Sequence, residues 1–206
     1  MRIVLESAGK KFFRNWIFRN LALELNSPEK IAILGPNGSG KSTLLQVLSG
    51  QLSLSEGTIK ASNGSSVVEP DSVFKHVSIA TPYLDLIEEF TLMEIVDFHF
   101  KFKQPVNKLT TKEIIEIAQL ENSKDKVFKY FSSGMKQRAK LSLAILSEVD
   151  LVLLDEPLTN LDKAGMQWYK QLAGGYLKDK ITVVCSNHDS NEYEFCEREV
   201  NIMEYK

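Results

Sequence analysis

The chain has 206 residues with a net charge of -2, which suits one domain with room for a small subdomain. Charged residues make up 25% and hydrophobic residues 43%, an ordinary globular mix whose balance gives no reason to expect nucleic acid or an anionic membrane surface as a partner. No apolar run approaches the ~18 residues of a membrane-crossing helix, and the N-terminus lacks the apolar core of a signal peptide.

Arg2 to Glu6 reads as a first strand and Gly9-Lys10-Lys11 as a turn. The aromatic run Phe12 to Phe18 follows, from which a ring could stack on a base. Core packing is the competing use for Phe13, Trp16, Ile17 and Phe18. Leu21, Leu23 and Leu25 alternate with Ala22, Glu24 and Asn26, the pattern of a half-buried strand. Ser27-Pro28-Glu29 turns the chain into Lys30 to Leu34, an apolar run that predicts a buried strand.

Residues Gly35 to Thr43 read GPNGSGKST and fit the phosphate-binding pattern G-x-x-x-x-G-K-S/T. Gly35, Gly38 and Gly40 let the backbone turn tightly and approach an anion. Pro36, Asn37 and Ser39 complete the loop. The freed N–H groups and the start of the next helix point at phosphate oxygens. Lys41 supplies a point charge for the β- and γ-phosphates, the Ser42 hydroxyl suits magnesium, and Thr43 adds a donor toward the α-phosphate.

Ser55 to Lys60 predicts a turn and strand, Asn63-Gly64-Ser65-Ser66 a hairpin, and Val73 to Ile79 a further strand ended by Pro82. Residues 83–147 change character and read as an inserted helical subdomain. Glu88 to Val96 looks helical, with Thr91 and Glu94 as a capping box. A short helix opens at Thr111, capped by Thr110 or Thr111. Ser132 precedes a helix over Met135 to Leu146, with Leu141, Ala144 and Ile145 on its buried side.

Asp150 to Pro157 is an apolar strand running into two acids. Asp155 at the strand end suits magnesium. Glu156 leaves in another direction and is free to polarise a water. Lys180 to Cys185 is another buried strand, and His188 follows its end, where ligands of such sheets sit. Glu199 to Tyr205 reads as a closing strand. Cys185 and Cys196 have no metal spacing, which fits a reducing compartment.

Taken together, these residues resemble the ATP-binding cassette ATPases, chiefly the nucleotide-binding subunits of ABC transporters. The likeness covers the whole chain. It rests on Gly35–Thr43, the signature-like FSSGM at Phe131–Met135, LVLLDEP, the TNLD stretch Thr159–Asp162 and His188, in family order. The resemblance implies an α/β fold: a P-loop NTPase core with an N-terminal antiparallel β subdomain and the helical insertion, all one nucleotide-binding domain over 1–206. It implies ATP and Mg2+ as cofactors.

The resemblance also assigns roles. Phe12 is the best match to the aromatic that stacks on adenine, with Phe13 in reserve. Ser132, Ser133 and Gly134 hold the γ-phosphate bound by a second subunit, and Asp162 lines the dimer seam. Glu156 is the catalytic base, His188 the switch histidine, and Lys41 the phosphate lysine. Ser42 and Asp155 are the metal-site residues. The expected partners are a separate transmembrane permease and a head-to-tail dimer with itself or a homologous ATPase subunit. No nucleic acid is expected. The expected place is cytoplasmic, on the inner face of the cell membrane. The chain resembles compact subunits that carry no C-terminal regulatory domain.

The chain departs from the family in two places. Ser133 and Met135 replace a glycine and a glutamine of the usual LSGGQ, which removes a side-chain hydrogen bond. The larger departure is Pro82, which stands where the family has a glutamine that senses magnesium and couples to the membrane partner. Two other readings follow from this pattern: a regulatory cassette with weak hydrolysis, motivated by Pro82, and a soluble ATPase acting on ribosomes or DNA.

Overall fold

The computed structural model describes residues 1–206, which group into two units. The first takes in Met1–Ile79, Val149–Glu156 and Asp179–Lys206. It begins with a long antiparallel hairpin of β1 (Arg2–Phe12) and β2 (Asn15–Asn26). After β3 (Lys30–Leu34) and α1 (Lys41–Leu48) come β4 (Glu56–Asn63) and β5 (Ser66–Val68). The first sheet has the order β2-β1-β4-β5. Its register carries Leu21, Leu23 and Leu25 to one face, all buried, while Ala22, Glu24 and Asn26 are exposed. That is the two-residue period of a pleated strand with one dry face.

Gly9-Lys10-Lys11 is not a turn. These residues lie in β1, and the chain reverses at Phe13 and Arg14. The physical reason is a series of register shifts between Leu5 and Lys11, with Ser7 at φ 46°. Such bulges let a strand continue through a glycine that looks like punctuation.

The second sheet has the order β6-β7-β8-β3-β9, with β6 (Val77–Ala80), β7 (Leu151–Asp155), β8 (Ile181–Ser186) and β9 (Arg198–Asn201). The pairings β7–β8, β8–β3 and β3–β9 are parallel. Every residue of β7 and β8 is buried, as expected where both faces of a parallel sheet are covered. Leu44, Leu45 and Leu48 of α1 join Ile31, Ile33, Leu153 and Val183 in one core with Leu5, Phe18 and Leu21 from the first sheet. Two expected strands are shorter than read. Pro70–Lys75 is a 3-10 turn, so β6 starts only at Val77. Ile202–Tyr205 is also 3-10, so the closing strand ends at Asn201.

The second unit spans Ala80–Glu148 and also Pro157–Lys178, so it is larger than the insertion read from sequence. Its helices are α2 (Leu92–His99), α3 (Thr111–Ile117), α4 (Ser133–Ile145) and α5 (Lys163–Tyr176). Glu88 to Phe90 lies ahead of the first helix rather than in it. Thr91 with Glu94 and Thr110 with Glu113 form complete capping boxes, which satisfy donors that the first helical turn cannot. Trp168 Nε1 of α5 donates to Ile117 O at 2.6 Å, and Gln137 Nε2 of α4 donates to Pro157 O at 2.9 Å. No helix in the chain is long and apolar enough to cross a membrane.

Candidate nucleotide site

The C-terminal ends of three adjacent parallel strands define the site. In register, Leu34 lies opposite Ser186, and Asp155 lies opposite Cys185. Each strand therefore delivers its loop to the same edge of the sheet: Gly35–Gly40 from β3, Glu156 from β7, and Asn187-His188 from β8. Open parallel sheets bind ligands at this edge.

The loop Gly35–Gly40 is shaped by two glycines in particular. Gly40 has φ 103°, a region closed to most side chains, and a Cβ there would collide with Ile17 Cγ2 of β2. A Cβ on Gly35 would come within 2.7 Å of Ser39 Oγ. Ser39 is 3% exposed, and its buried hydroxyl has no hydrogen-bond partner. A buried hydroxyl without a partner is costly, and here it sits inside a loop whose other groups suit an oxyanion. The structure thus fits a bound phosphate at the point where the motif predicts one.

Lys41 is buried, and its Nζ donates to Gly35 O at 2.7 Å and Pro36 O at 3.3 Å. The ammonium is thereby held across the loop. Pro36, Asn37 and Gly38 are exposed along it, and Thr43 is partly buried in the first turn of α1. Ser42 Oγ donates to Asp155 Oδ2 at 2.6 Å, joining two residues 113 positions apart. A hydroxyl and a carboxylate are hard oxygen donors of the kind magnesium takes, along with phosphate oxygens and water. The donor set fits the ion.

Burial pushes the Asp155 carboxyl above the ordinary carboxylate range. The Ser42 hydrogen bond opposes this, the Glu156 charge adds to it, and Lys41 opposes it. Taking a charge out of water disfavours it, so a cation at this point would relieve the burden. Glu156 follows at φ 45°, with its N–H donated to Cys185 O at 2.9 Å. His188 has φ 64° and is exposed. Left-handed backbone at two non-glycine residues is a cost that functional sites often carry. Ser186 Oγ accepts from Asp189 N at 3.1 Å and so closes the turn that bears His188.

The remaining residues lie elsewhere. Phe12 is 43% exposed with Lys10 Nζ above its ring, and Phe13 is 99% exposed at the hairpin tip. Of the four residues weighed as core, Phe18 is buried and Phe13 is not. Ser132, Ser133 and Gly134 are in the helical unit: Ser132 caps α4 and accepts from Met135 N at 3.2 Å. Asp162 caps α5 and accepts from Gly165 N at 2.7 Å. Ile17, a core candidate from the sequence, also sets the loop's steric floor, which nothing in a strand pattern marks. Sequence reasoning passed over Gln137, although a glutamine among the small and basic residues of α4 could have been noticed.

The fold and the site together define a P-loop ATPase cassette. The family model described as "ABC transporter" matches residues 18–159, and the chain belongs to that family. Among curated relatives, the chain is 30% identical over 197 residues to the uncharacterized ABC transporter ATP-binding protein YcbN of Bacillus subtilis, covering 94% of this chain and 64% of that one. It is 30% identical over 198 residues to the aliphatic sulfonates import ATP-binding protein SsuB of Bacillus subtilis, covering 94% and 74%. It is 28% identical to the Fe(3+) ions import ATP-binding protein FbpC of Fusobacterium nucleatum, covering 93% and 53%. The chain thus spans between about half and three quarters of the length of these relatives. A dimeric post-hydrolysis state of the ATP-binding cassette MJ0796, bound to ADP and Pi, shares the fold with a TM-score of 0.83. That likeness is at 24% identity, covering 97% of this chain and 94% of that one.

Proposed function

We propose that this chain binds and hydrolyses ATP to energise transport by a separate transmembrane permease. The observation that carries the reading is the Ser42–Asp155 hydrogen bond of 2.6 Å. It joins the phosphate loop to the acid pair at the edge of one parallel sheet. Two of the relatives are named as ATP-binding proteins of import systems, which supports the transport side of the proposal.

Each residue has a task in this reading. The loop amides, Ser39 and Lys41 hold the phosphates. Ser42 and Asp155 hold magnesium, which when bound neutralises developing charge on the phosphate oxygens. Glu156 orients a water in line with the γ-phosphate and takes its proton. His188 steadies the same phosphate. Phe12 stacks on the adenine, with Phe13 in reserve. A second copy, or a homologous subunit, supplies its Ser132–Gly134 segment to the γ-phosphate, and Asp162 lies on the seam between the two. In the cell the subunit sits on the cytoplasmic side of the membrane through its permease.

Glu156→Gln tests this. The variant is expected to keep ATP binding, lose turnover and accumulate an ATP-bound dimer, read by phosphate release and by gel filtration with and without ATP. Unchanged turnover in the variant would sink the assignment of Glu156. Pro82 favours a second reading, a regulatory cassette with weak hydrolysis. Turnover of the unaltered chain at or below that of Glu156→Gln would select it.

A further inference from the structure

Lys140 lies on α4 and is 9% exposed. A buried ammonium must find acceptors. Those of Lys140 are two successive backbone carbonyls: its Nζ donates to Pro82 O at 3.0 Å and to Thr81 O at 3.5 Å. Burial holds its pKa below the ordinary lysine value, Asp85 pulls it back up, and Lys136 lowers it further. The lysine thus bridges a loop and a helix of the same unit.

Both partners lead somewhere. The loop runs on into Asp85, Leu86, Ile87 and Phe90, which with Phe98 and Phe102 line a mainly apolar groove of about 220 Å³. The helix begins at Ser133, with Ser132 as its cap. At 1.5 Å per residue Lys140 is ~10 Å along the axis from that end, and Gln137 braces the stretch between by its bond to Pro157 O. Pro82 has no N–H and a restricted φ. Within the loop Thr81 O already accepts from Leu84 N at 3.2 Å, so the shorter bond from Lys140, to Pro82 O, is the one that ties the loop to the helix.

We propose that Lys140 is a positioning residue that takes the coupling part left open by Pro82. It ties the groove-lining loop to the helix that presents Ser132–Gly134, so that nucleotide captured at one end of α4 is felt in the loop. The proposal rests on the ATP-binding reading above.

Amide hydrogen exchange of the full chain in the Glu156→Gln background tests it, with and without MgATP. With Lys140 present, MgATP is expected to slow exchange about tenfold both in residues 41–48 and in residues 83–90. In Lys140→Met, and in Lys140→Gln, whose amide falls an atom short, the slowing over 41–48 persists. The slowing over 83–90 falls below about twofold in both variants, while Lys140→Arg restores it. Unchanged exchange over 111–117 without nucleotide marks a folded helical unit. Full slowing over 83–90 in either folded uncharged variant overturns the proposal. So does its absence from the parent when 41–48 responds. If MgATP leaves 41–48 unaffected in the parent, the ATP-binding reading itself fails, and this one with it.

Discussion

At Gly40 the backbone stands at φ 103°, and a methyl group there would run into Ile17 Cγ2. At Gly38 φ is also positive, at 77°, yet a Cβ would meet nothing within 4 Å. The two glycines separate conformational strain from collision. Gly38→Ala is expected to lose about 1 kcal/mol of stability from backbone strain alone. Gly40→Ala adds the clash with Ile17, for a total of about 2–4 kcal/mol, and distorts the loop enough to weaken ATP binding. Urea unfolding of both variants checks this; equal losses would remove Ile17 from the account. The motif itself was legible at this scale, because glycine, lysine and hydroxyl recur at fixed offsets. Ser39's missing partner and the floor formed by Ile17 were not, since neither is a property of local sequence.

Among the elements, the Thr91–Glu94 capping box was the most legible, because it acts over three residues, whereas only the structure chose Thr110 over Thr111 and paired it with Glu113. The bulged β1 and the 3-10 turn over Pro70–Lys75 were misread, since tertiary pairing overrode local signals there. α2 also carries His99, whose Nε2 lies 2.9 Å from Ser147 Oγ. Burial, with the nearby Lys103 charge, pushes its pKa down to about 4, against the opposing effect of Leu143. The folded state therefore favours neutral His99, while the unfolded chain takes up a proton near its ordinary value. Stability from this group is present above about pH 6.5 and is lost as pH falls toward 4. Between pH 7.5 and pH 5 the loss is about 2 kcal/mol. His99→Gln should lack that share of the acid sensitivity. Denaturant midpoints for both chains at the two pH values provide the measurement, and an equal pH dependence would exclude the histidine as a cause.

For the whole molecule, a ligand that binds only the folded chain raises its stability by mass action. MgATP at 100 times its dissociation constant should add about 2.7 kcal/mol, or roughly 5–10 °C in melting temperature for a chain of this size. Asp155→Asn removes a carboxylate that the proposal assigns to magnesium, so its shift should be smaller and should no longer differ between magnesium and chelator. A parent chain whose ATP-induced shift ignores magnesium would contradict the metal site assigned to Ser42 and Asp155.

The sequence by itself determined the family, the phosphate-loop motif and the order of the motif segments. Those depend on residue types at short spacings, which demand the same backbone wherever they occur. Only the tertiary structure decided that Ser42 meets Asp155 across 113 residues and that Ile17 closes the loop from another strand. It also showed that Lys140 grips the carbonyls at Thr81 and Pro82. These are contacts between segments far apart in the chain. They exist because hydrophobic burial packs the elements into one arrangement, and no local pattern encodes which atoms then touch.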